Sequence, residues 1–142
     1  MKLNNNIQEP MCSFEVSKLL KEKGFDIPCY KAFLYKIYEP SSITEENITK
    51  IKDATNYSDS HYEKYYRPTH GLAIEWIKVN FGIWIEIFWD VVNSKEKHVL
   101  NWKYSISKIG NMEFNSIEAY DFKSSEEAIE AALLYVLTNL IK

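Results

Sequence analysis

The residues best suited to chemistry lie in one short run, Tyr65-Tyr66-Arg67-Pro68-Thr69-His70. It sets the chain's only arginine, two phenols and a histidine at the start of a predicted helix. The free N–H groups of a helix start attract anions, and an arginine fork matches phosphate or carboxylate. The same run also has a plain structural use. Thr69 caps the helix, Arg67 pairs with a surface carboxylate and the tyrosines pack on a sheet. Just upstream, Tyr57, Ser58, Ser60, His61 and Tyr62 give a Tyr/Ser-rich stretch. Such stretches make adaptable binding surfaces, because rings offer contact area at low entropic cost; they also occur as ordinary solvated loops. The candidate ligand-binding set is Tyr62, Tyr65, Tyr66, Arg67, Thr69 and His70, and the chemistry it suits is capture of a small anionic, nucleotide-like ligand.

A second constellation falls on one face of a predicted strand, Trp84, Glu86, Phe88 and Asp90, with Trp102 or Tyr104 expected beside it. Rings with carboxylates grip a purine and a ribose, but the preferred reading is an oligomer interface, where aromatic residues concentrate. Catalytic signals are thin. Glu86 and Asp90 are four residues apart, roughly 13 Å along a strand, too far for a carboxylate pair. His61, His70 and His98 lack zinc spacing, and Cys12 and Cys29 form no Cys-x-x-Cys motif. Two buried thiols are expected, with no metal and no cofactor. Neither a nucleophile elbow nor a phosphate-binding glycine loop occurs.

These groups are held by one domain's worth of chain, 142 residues with 46% apolar content, which excludes wholesale disorder. The aromatic share of 15% exceeds what one core of this size needs, so some rings lie at a surface or line a cavity. A net charge of −3 and a single arginine argue against duplex nucleic acid. The longest apolar run, 83–92, is broken by Glu86 and Asp90, which argues against a membrane span. With no signal-peptide pattern at the N-terminus, a cytoplasmic location is expected.

Along the chain, residues 1–11 read as a loose arm. Ser13 caps a helix from Phe14 carrying Val16, Leu19 and Leu20 on one stripe, and Gly24 ends it with Phe25 folding back on Leu20. A strand over 29–38 follows. Residues 39–67 read as a long Tyr-rich loop, the length usual for functional segments. Thr69 opens a helix over 70–80 that ends at Gly82. Three strands in a meander come next, the first over 83–92 and the last near 112–122. Ser124 and Glu127 have capping-box spacing at the head of a C-terminal helix with Ala128, Ala131, Ala132, Tyr135 and Val136 on one face. The expected class is α+β: a mainly antiparallel sheet, one N-terminal strand plus the three-strand meander, with three helices packed on one face.

Three stretches carry a resemblance: Leu19-Leu20-Lys21-Glu22-Lys23-Gly24-Phe25-Asp26, then Pro68-Thr69 with Leu72-Ala73 and Trp76-Ile77, then Ser125-Glu126-Glu127-Ala128 with Ala131-Ala132-Leu133. Together they resemble small proteins of bacteriophages and prophages of gut bacteria. The family brings no activity with it. The resemblance implies a context, in which small phage proteins inhibit host defence enzymes or sequester nucleotide signals. The leading expectation is a non-enzymatic, phage-encoded homo-oligomer that sequesters an anionic host immune signal. The alternatives are a protein-binding inhibitor of a host defence enzyme and a small enzyme whose site is assembled only in three dimensions.

Overall fold

The computed structural model describes residues 9–36, 39–47, 62–94, 97–108 and 116–142. Its elements run α1 (Phe14–Glu22), β1 (Lys31–Lys36), β2 (Glu39–Asn47), β3 (Tyr62–Arg67), α2 (His70–Phe81), β4 (Ile83–Ser94), β5 (Lys97–Lys108), β6 (Ser116–Phe122) and α3 (Ser125–Tyr135). A π-helical turn, Val136–Leu140, closes α3. The class is α+β with antiparallel pairing, as the patterning implied. Among the described residues no helix is long and apolar enough to cross a membrane.

The helix ends follow from local chemistry. The hydroxyls of Ser13, Thr69 and Ser124 accept the N–H groups of Val16, Leu72 and Glu127, filling one orphan donor at each start. At the end of α1, Gly24 takes the left-handed conformation at φ +99°, and Phe25 N–H donates to the Leu20 carbonyl at 2.9 Å. That reversal buries Phe25 against Trp76, the rings meeting edge to face at 5.3 Å.

The single sheet expected from the sequence is two. The meander β4-β5-β6 forms as patterned, its first hairpin in unbroken register from Ile83↔Lys108 to Ser94↔Lys97. The other sheet has the order β2-β1-β3 and takes in much of the stretch read as a loop. Residues 39–47 and 62–67 are strands; positions 48–61 lie outside the described residues. Both strands sit at sheet edges, paired only with β1. An edge strand tolerates Pro40 near its start and needs no clean apolar face of its own, so a pattern search passes over it.

The helices therefore do not share one face of one sheet. α1 packs on β3 and also touches α3, whereas α3 covers β5, β4 and β6. The core lies where they meet, among Val16, Leu20, Ile77, Ile83, Ile106, Leu133, Val136 and Leu137. The end of the expected loose arm is also fixed. Cys12 N–H donates to the Pro68 carbonyl and His70 N–H to the Pro10 carbonyl, each at 2.9 Å. This short bridge, with Met11 opposite Thr69, brings the starts of α1 and α2 side by side.

Candidate functional site

A pocket of about 300 Å³ opens between α1 and β3. Ser17 and Lys21, one helical turn apart, form one wall; Lys64 and Tyr66, two residues apart on one face of β3, form the other; Gly24, Phe25 and Asp26 close the end. Lys64 Nζ donates to the Tyr66 hydroxyl at 3.1 Å and lies 4.6 Å from the centre of its ring. Lys21 Nζ donates to the Lys64 carbonyl at 2.9 Å, with the Tyr65 ring beneath it. An ammonium carries three donors, so both lysines keep capacity for a ligand. Ser17 is 1% exposed, and its hydroxyl has no hydrogen-bond partner among the described residues. The pocket therefore combines an apolar wall, two cations, a phenol, a carboxylate and an unused hydroxyl.

Of the sequence-predicted ligand set, Tyr66 lines this pocket. Strand alternation sends Tyr65 and Arg67 to the opposite face of β3, where Tyr65 is buried edge-on against Phe14 and bonded to Glu63. Arg67 Nε donates to the Cys12 carbonyl at 2.8 Å, and its guanidinium lies over Phe33. Tyr62 begins β3, opposite Lys36 in register. Thr69 is engaged as the helix cap.

His70 is 4% exposed, and its Nε2 lies 2.9 Å from Glu130 Oε1. The same oxygen accepts Ser13 N–H at 2.8 Å. The anion expected at the α2 start is thus supplied by the chain itself, from α3, where the starts of two helices converge. Burial alone would raise the Glu130 pKa, but hydrogen bonds from His70 and Ser13 and the His70 charge outweigh it and hold the carboxyl below its ordinary value. Cys12 lies in the same cluster. Burial first, and then the nearby Glu130 charge, push its thiol far above the ordinary range, against a smaller opposing effect of Arg67.

The aromatic constellation also divides. Trp84 and Phe88 stand on the outer face of the meander, 40% and 41% exposed, each beneath a lysine: Lys78 Nζ is 4.8 Å from the Trp84 ring centre and Lys103 Nζ 5.9 Å from that of Phe88. Trp102 and Tyr104 are not beside them. The register pairs them with Trp89 and Ile87, on the face that carries the core, and Tyr104 is buried there. Lys103 holds the place opposite Phe88 instead. The inner face outruns its helical cover, leaving Trp89, Val91 and Leu100 exposed towards the hairpin end.

Sequence reasoning missed Ser17, Lys21, Lys64, Cys12 and Glu130 as site-forming residues. The i, i+4 spacing of Ser17 and Lys21 is visible in the sequence, but its meaning depends on β3, whose sequence reads as loop. No protein family, no curated protein and no solved structure matches this chain.

Proposed function

We propose that the protein binds and sequesters a small anionic ligand of nucleotide type in the pocket between α1 and β3. The observation that carries this reading is the meeting of two lysine ammonium groups with the Ser17 hydroxyl, unpartnered among the described residues, around an apolar-walled cavity. Its volume is at the lower end for small-molecule sites and suits a mononucleotide-sized group. In this reading Lys21 and Lys64 meet the phosphate, Tyr66 and Phe25 line the base, and Asp26 accepts from a sugar hydroxyl or a base amine. A binding protein of this kind returns its ligand unchanged. That the ligand is a host immune signal and the protein phage-encoded rests on the sequence resemblance alone, and a cytoplasmic location on the N-terminal sequence pattern.

Calorimetric titration with a panel of mononucleotides and cyclic nucleotides tests the reading. Lys64→Ala should weaken binding by roughly ten- to a hundredfold, the worth of about 1.5–3 kcal/mol for a charge-assisted bond. Arg67→Ala, on the other face of β3, should spare it. Binding that survives the Lys21→Ala/Lys64→Ala double variant but is lost with Arg67→Ala would return the site to the α2 start. A parent protein that binds none of the panel refutes a nucleotide ligand.

The exposed Trp89, Val91 and Leu100 favour a second reading, a protein-binding inhibitor docking through the end of the β4–β5 hairpin. A host protein captured by the parent and lost with Trp89→Lys would support it.

A further inference from the structure

The cluster at the two helix starts holds more than an ion pair. Cys12, His70 and Glu130 come from three separate segments, yet one donor atom from each lies within 4.8 Å of the others. The Cys12 thiol is poorly used: its closest hydrogen-bond approach is 3.9 Å to the Thr69 carbonyl, the outer limit for sulfur. His70 turns Nε2 to Glu130 at 2.9 Å, so an ion held by both sits on the Nε2 side, and the buried Nδ1, without a hydrogen-bond partner among the described residues, is the nitrogen left to carry the ring proton.

We infer that Cys12, His70 and Glu130 form a binding site for a thiophilic divalent cation of the zinc type. A thiolate, an imidazole and a carboxylate are the donor set such ions select, whereas calcium and magnesium take oxygen alone. Tetrahedral zinc, with bonds of about 2.0–2.3 Å, sets its ligand atoms roughly 3.3–3.8 Å apart. Side-chain shifts of about 1 Å therefore convert the observed cluster into a coordination sphere.

Binding releases the thiol proton to solvent and frees Nε2 of the proton it shares with Glu130, the neutral imidazole keeping its one proton on Nδ1. The thiolate and carboxylate then balance the two charges of the cation. The helix starts, which would oppose a bare cation, stabilise the thiolate that binding creates. A nucleophilic role for Cys12 fits less well, since the side chain is fully buried and the α1–β3 pocket is not lined by it. The site would instead clamp the segment before α1, the start of α2 and the middle of α3.

Cobalt(II) is the probe. Titrated into the metal-free full chain, it should bind one to one and give a near-ultraviolet thiolate-to-cobalt charge-transfer band, displaced by zinc. The band should persist in Cys29→Ser and vanish in Cys12→Ser, and Glu130→Gln should weaken binding. Zinc should raise the melting temperature of the parent and not that of Cys12→Ser. If Cys12→Ser does not fold, Cys29→Ser decides alone, because the chain has two cysteines. A parent without the band, or a band lost in Cys29→Ser, overturns the site.

Discussion

Replacing Ser17 by alanine should make the protein more stable and a poorer binder at once. The hydroxyl sits on α1, 1% exposed, on the wall of the pocket and without a partner among the described residues. Keeping such a group dry costs roughly 1–3 kcal/mol, and alanine removes that cost with no hydrogen bond lost. Alanine is also the better helix former, by a further few tenths of a kcal/mol. The gain of about 1–3 kcal/mol corresponds to a rise in melting temperature of roughly 3–10 °C at this chain length. Scanning calorimetry, with urea unfolding as a check on two-state behaviour, measures it. Ligand affinity should move the other way, falling about tenfold if the ligand engages the hydroxyl. A variant less stable than its parent by about 1 kcal/mol or more would mean that the hydroxyl is satisfied in the native state and is not free for a ligand.

Leu133→Ala removes a fully buried side chain from the α3 core contact and should cost about 2–5 kcal/mol in urea unfolding. Ser124→Ala should cost about 1 kcal/mol, since its hydroxyl accepts Glu127 N–H at 3.1 Å. If the outer face of the meander mediates self-association, light scattering will report a dimer or larger assembly that Trp84→Lys with Phe88→Lys dissociates; a monomer at every concentration rejects that role. A thiol reagent should label half-buried Cys29 in the native protein and reach Cys12 only on unfolding, a difference read by mass spectrometry of timed samples.

The parts of this structure legible in the sequence are those whose signal is local. Ser13, Thr69 and Ser124 each precede an apolar stripe and each caps a helix, and Gly24 with Phe25 forms the expected reversal. The meander was equally readable, because inward Ile83 and Ile85 alternate with outward Trp84 and Glu86. β2 escaped because Glu39–Asn47 carries Pro40 and a mostly polar sequence, and β3 because it draws its order from pairing with β1, far back along the chain. The clustering of Tyr65, Tyr66 and Arg67 along the chain misled for a related reason. On a strand, neighbours in sequence point to opposite faces, so the run divides between two environments. Glu130, the partner that occupies the start of α2, lies 60 residues beyond His70.

The short bridge joining residues 10–12 to residues 68–70 also bears on the order of assembly. The β4–β5 hairpin pairs residues as near in sequence as Ser94 and Lys97, so its contacts are local. Joining Cys12 to Pro68 encloses both partners of β1 and the whole of α1. Long closures carry a larger entropic cost and reward it later, so folding should start from the hairpin with α3 laid across it. The bridge then acts as the last latch. It secures the starts of α1 and α2 together, and in a stretched chain the same latch would be the first contact to give way.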